Sequence, residues 1–160
     1  MEGFASALKN LGVERGDIIS IIAPNSPSIF EAHFAVPGCQ AVLHCINTRL
    51  DATTIAYQLS HCQSKVLLVD SEFHSLIFDV KNVIEKNHPL FSMPIVISVQ
   101  DPVYSESLSV SSFSSSSTLD YIAEYESFIS AGDKNFTLMD CQDEFDAITL
   151  NYTSGTTGIN

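Results

Sequence analysis

Positive charge is scarce in this chain. Seven Lys and Arg stand against 19 Asp and Glu, for a formal net charge of −12 over 160 residues. No Lys or Arg cluster exists that could neutralise a run of phosphates, so nucleic-acid binding and docking on anionic membranes are not expected. Long apolar runs are also missing: the longest fall far short of the roughly 18 residues that span a bilayer. The four cysteines (Cys39, Cys45, Cys62, Cys141) include no C-x-x-C pair, and no secretory leader precedes them. Reduced thiols in an intracellular compartment are therefore expected.

What is present is enough for a core: 45% of the residues are hydrophobic, ten of them Phe. "MEGFASALKNLGV" carries Phe4, Ala7, Leu8 and Leu11 on a helical period. "IISIIAP" (Ile18 to Pro24) is a β-branched run bounded by turn formers, as in a strand buried on both faces. In "NSPSIFEAHFAVPG", Ser26 can cap a helix and Pro27 can occupy its first position. "AVLHCI" (Ala41 to Ile46) reads as a second strand, Asp51 as the cap of a helix facing inward through Ile55, Leu59 and Cys62, and "KVLLVD" as a third strand. Ser71 is expected to cap a helix with Phe73, Leu76, Ile77, Val80 and Ile84 on one face, followed by a strand in "MPIVISV". A short helix from Leu119 to about Ile129 and a last strand in "FDAITLNYTSG" complete the reading. Apolar strands alternating with amphipathic helices predict an α/β fold, a mostly parallel sheet with helices on its faces.

Two segments break the pattern. From Ser105 to Ser117 nine of thirteen residues are serine, too little apolar area to offset ordering, so 103–118 reads as a mobile surface loop. From Asp120 to Asp146 eight carboxylates face the single Lys134, which reads as a solvated stretch.

The chemistry is concentrated in the closing "NYTSGTTGIN". A strand running into Ser, Thr and Gly brings backbone N–H groups and hydroxyls to the carboxyl edge of a parallel sheet, where open α/β folds bind ligands. Glycine lets the backbone approach a phosphate, and Thr153, Ser154, Thr156 and Thr157 can donate to its oxygens. This is not a Walker A loop, because no lysine follows Lys134. A polar terminus with no ligand is the alternative reading of the same composition.

"YTSGTTG" resembles the phosphate-binding signature of the adenylate-forming (AMP-dependent synthetase/ligase) family. Leu11 to Asp70 resembles the amino-terminal region of that family: a helix, a "GD" turn, an apolar strand, an "N-x-P" turn, then "INTRL" with a helix and a "K-V" strand. The wording is closest to plant acyl-activating enzymes. The resemblance implies ATP-dependent activation of a fatty or aromatic carboxylic acid to an acyl-adenylate, then transfer to coenzyme A as a thioester. It implies that Thr153, Ser154, Gly155, Thr156, Thr157 and Gly158 bind nucleotide phosphates, with Mg2+ carried by them.

Departures from the family pattern shape the expectation. Where the loop would continue through proline and lysine, Ile159 and Asn160 close the sequence, and Gln40 stands at a place usually held by glycine. Residues 1–160 are expected to form an interior part of the large N-terminal domain, with the family's opening segment, the adenine-stacking segment, the ribose-binding aspartate and the small C-terminal domain all absent. Preorganised charges of that kind are worth about 3–4 kcal/mol each in such reactions, so the chain alone is expected to lack turnover and no catalytic residue is assigned. A non-catalytic fragment or interaction module is the alternative, and sheet edges without a neighbour would offer association surfaces.

Other candidates have plainer readings. His44-Cys45 and His61-Cys62 are adjacent pairs, whereas zinc ligands are usually spaced by two to four residues, so no metal site is assigned and core cysteines beside edge histidines are expected. A nucleophilic pairing of Cys45 with His33 or His74 lacks anything to lower the thiol pKa. Arg49 is expected to be structural, and Glu31 and His33 to lie on a solvent face.

Overall fold

The computed structural model describes residues 1–100 and 119–153. Helix α1 (Glu2–Asn10) precedes strand β1 (Ile18–Ile22), α2 (Pro27–Gly38), β2 (Val42–Cys45), α3 (Ala52–Cys62) and β3 (Val66–Asp70). Then come α4 (His74–Asn87), β4 (Ile95–Val99), β5 (Ala123–Glu124), α5 (Tyr125–Ser130) and β6 (Thr149–Leu150). The strands form one sheet in the order β5-β4-β3-β1-β2-β6, and every pairing is parallel.

Strand periodicity sorts the core into two layers. Ile19, Ile21, Leu43, Val66, Leu68 and Ile97 point to the face covered by α1, α2 and α5. Ile22, Ile46, Leu67, Val69 and Val96 point to the opposite face, covered by Ile55, Ala56 and Leu59 of α3 and Ile77, Val80 and Ile84 of α4. Continuous apolar strands are needed because both faces are dry. On the first face, Phe4 meets Tyr125 and Phe128 edge-on, with ring centroids 5.3 and 6.2 Å apart. The α1 and α5 backbones come so close that a Cβ on Gly132 would lie 1.9 Å from the Gly3 carbonyl oxygen.

Helix ends follow local chemistry, with some differences from the sequence reading. Asp51 caps α3 as expected, its Oδ1 accepting from the Thr54 N–H at 2.8 Å. Ser26 occupies the N-cap of α2 with Pro27 first in the helix, but its hydroxyl bonds Ser28 Oγ instead of the backbone. Ser71 is not a cap: Asp70 caps a 3-10 turn over Ser71–Phe73, Oδ1 accepting from Glu72 N–H, and α4 starts at His74. The expected helix from Leu119 to Ile129 is shortened, because Ile122 N–H donates to Val96 O and Ala123–Glu124 pair with β4 before α5 begins. The last strand is two residues long, paired with β2 only. The serine-rich segment expected to be a mobile loop, 103–118, lies outside the described residues.

Gln40 has a φ of 64°, the left-handed region where a glycine carries no Cβ penalty. Its Nε2 donates to Asp140 O at 3.1 Å, a contact glycine could not make. That bond ties the turn before β2 to the segment that leads into β6.

Candidate functional site

All six described strands are parallel, so their carboxyl ends lie at one edge of the sheet. After β1 comes Pro24-Asn25-Ser26, after β2 Asn47-Thr48-Arg49, after β3 Asp70-Ser71-Glu72, and after β6 Asn151-Tyr152-Thr153. Helix α2, following β1, packs on one face and α4, following β3, on the other, so connections diverge between these neighbouring strands. Thr153 is exposed just past β6, and Ser154, Gly155, Thr156, Thr157 and Gly158 lie outside the described residues.

The exit of β6 is fixed from two sides. Ahead of it, Arg15 in the turn before β1 forms a fork on Asp146, with Nη2 2.6 Å from Oδ1 and Nε 3.1 Å from Oδ2, and Nη1 reaches Gln142. The Asp146 partnership raises the guanidinium pKa further above its ordinary value. Behind it, Tyr152 lies against α3: its ring is 5.2 Å from that of His44, and its hydroxyl is 2.8 Å from His61 Nδ1 and donates to Gln58 O at 3.4 Å. Burial pushes the Tyr152 phenol up to about 12, so it stays neutral across the physiological range. The opening residues of the tail were legible as a candidate site; this anchoring was not, because α3 and Tyr152 are 91 residues apart at the His61 contact.

His44 corrects the expectation of an edge histidine. It is 1% exposed, on the α3 face of β2, with Nδ1 2.9 Å from Ser20 Oγ. Ser20 Oγ also meets Ser64 Oγ at 2.8 Å, and Ser64 donates to Val66 O. Burial lowers the His44 pKa to about 4, a shift the Gln58 side chain opposes in part. Cys45 points to the opposite face, while Cys62 from α3 brings its sulfur to 3.9 Å from His44 Nδ1. Burial raises the pKa of both thiols, so neither is an activated nucleophile. All four cysteines are free thiols. No group of three His, Cys, Asp or Glu side chains converges among the described residues.

Arg49 is exposed in a turn where its N–H donates to Asn47 Oδ1. His33 is exposed, but Glu31 is not simply solvated: it accepts from the hydroxyl of buried Tyr125. That bond joins α2 to α5. No helix among the described residues is long and apolar enough to cross a membrane.

The comparison with known families bears directly on this edge. The profile of the AMP-binding enzyme family matches residues 1–159. The chain belongs to the AMP-binding enzyme family. Over 154 residues it is 42% identical to the peroxisomal acetate/butyrate–CoA ligase of Arabidopsis thaliana, covering 96% of this chain and 26% of that protein. It is 39% identical to an acetate–CoA ligase of Humulus lupulus, with the same two coverages. The chain thus spans about a quarter of the length of these relatives. Among solved structures, an anthranilate–CoA ligase in complex with anthranoyl-AMP matches with a TM-score of 0.72 at 26% identity, over 98% of this chain and 26% of that one. A long-chain-fatty-acid–CoA ligase of Archaeoglobus fulgidus shares the fold, with a TM-score of 0.71 at 21% identity over 98% of this chain and 26% of that one.

Proposed function

We propose that this chain is part of the large N-terminal domain of an acyl-CoA ligase, and that its share of the reaction is to hold the phosphates of ATP. The observation that carries this reading is the parallel course of β6, whose exit brings Thr153, the first residue of the Thr/Ser/Gly run, to the carboxyl edge of the sheet. Successive backbone N–H groups and the hydroxyls of Thr153, Ser154, Thr156 and Thr157 then accept the charge of the β and γ phosphates, with Gly155 and Gly158 allowing close approach.

In the complete enzyme a carboxylate attacks the α-phosphorus of ATP, the bond to the pyrophosphate oxygen breaks, and acyl-adenylate and pyrophosphate result. The thiol of coenzyme A then displaces AMP and leaves the thioester. Mg2+ would neutralise the phosphate oxygens during the first step. By itself the chain supplies the backbone and hydroxyl part of this site and carries no turnover. The acid is fatty or aromatic, and the compartment cytoplasmic or peroxisomal; the relatives named for acetate and butyrate support a fatty acid, and the peroxisomal one supports the peroxisome.

Titration of ATP–Mg2+ and of pyrophosphate into the chain, followed by the amide shifts of Gly155 and Gly158, tests the binding claim. Saturable shifts are expected, and none at millimolar ligand would sink it. Acid-dependent pyrophosphate exchange by the isolated chain would overturn the claim that it lacks turnover.

A further inference from the structure

We propose that His61 and Tyr152 form an anchor that positions the start of the glycine-rich tail, making His61 a positioning residue for phosphate binding. The inference rests on the phosphate-binding reading above. β6 pairs with β2 through only Thr149 and Leu150, so the sheet alone gives the following residues little restraint. Tyr152, one residue before Thr153, supplies what the short ladder lacks. Its ring packs between His44 below and His61 beside it, at centroid distances of 5.2 and 5.8 Å. Its hydroxyl bonds His61 Nδ1 and the Gln58 carbonyl.

His61 is itself held. Tyr57, one turn earlier on α3, stacks on its ring with centroids 5.4 Å apart and planes 25° from parallel. The imidazole is thus fixed between two tyrosines, although it lies on the exposed side of the helix. The His61–Tyr152 bond forms with either ring tautomer: where Nδ1 carries the proton it donates to the phenol, which donates its single O–H to Gln58 O, and a bare Nδ1 accepts that O–H instead. Among the described residues the groups around the pair are Tyr57, Gln58, Cys62 and His44, none of them a carboxylate. A cradle of backbone N–H groups works only when its first residues are placed in advance, which is the service this anchor provides.

The test compares the full chain with Tyr152→Phe, His61→Ala, the double variant and His61→Asn, which keeps a hydrogen-bonding group near the Nδ1 position. Amide hydrogen exchange at Asn151 to Thr153 and magnesium–pyrophosphate affinity are both read. Each single variant should speed local exchange and weaken pyrophosphate binding by about three- to tenfold, the range of one net hydrogen bond. The double variant should add little, His61→Asn should recover most of the loss, and exchange in β1 and β3 should not change. Wild-type exchange in Tyr152→Phe and His61→Ala, or faster exchange with unchanged affinity, would overturn the proposal. If the wild-type chain binds no pyrophosphate, the phosphate reading fails by itself. The anchor is then judged on exchange alone: local loosening upholds it and wild-type rates refute it.

Discussion

Replacing His44 by Gln should remove a pH dependence that the buried imidazole builds into the fold. His44 is surrounded by Ser20, Ser64, Cys62, Gln58 and Tyr152, with no carboxylate to stabilise an imidazolium, and burial lowers its pKa from 6.5 to about 4. The unfolded chain therefore takes up a proton at this residue below about pH 6.5, whereas the folded chain does so only near pH 4. Stability from this group is complete above the unfolded pKa, falls as the pH drops through the window, and levels off below the folded pKa. At about 1.4 kcal/mol per unit, the window of 6.5 to about 4 is worth about 3 kcal/mol at full extent. For a chain of 160 residues that is a fall of about 6–12 °C in Tm.

Thermal and urea melts of the wild type and His44→Gln at pH 7.5, 6.0 and 4.5 isolate the effect. The depressed pKa of His74 and the depressed carboxylates Asp17 and Asp51 contribute to both proteins and cancel in the difference. By pH 4.5 the wild type should lose about 2.5 kcal/mol more than the variant. A difference independent of pH would refute the reasoning. Should the variant fail to fold, the imidazole proton resonances of wild-type His44 serve instead, and titration near pH 6.5 would be equally fatal.

Three further outcomes follow from packing and burial. Gly132→Ala forces a Cβ to within 1.9 Å of the Gly3 carbonyl oxygen, a backbone atom that cannot swing away, and should cost about 1–3 kcal/mol in a urea melt by parting α5 from α1. Leu68→Ala, at a fully buried site in β3, should cost about 2–5 kcal/mol, whereas Leu90→Ala, at a fully exposed one, should leave the midpoint within experimental error. A thiol reagent should label exposed Cys141 first and buried Cys39 only on unfolding, and a Cys141→Ser chain should show no fast phase.

Both faces of the central strands are covered by helices. What remains open to association is the outer rim: β6 ends the sheet beside exposed Ile148, and Phe30 and Phe34 are 60% and 48% exposed on α2.

Local chemistry determined much of this protein. The β-branched runs of β1, β3 and β4, the Asp51 cap and the stripe of Ile77, Val80 and Ile84 are each dictated within a few residues, because burial on two faces and helical period leave a mark in adjacent positions. Strand order, the pairing of Ala123–Glu124 where a helix was expected, the burial of His44 and the seating of Tyr152 on α3 were not legible in this way. Each depends on partners far away in the chain: the His61–Tyr152 contact exists because β6, paired in parallel with β2, carries Tyr152 against α3.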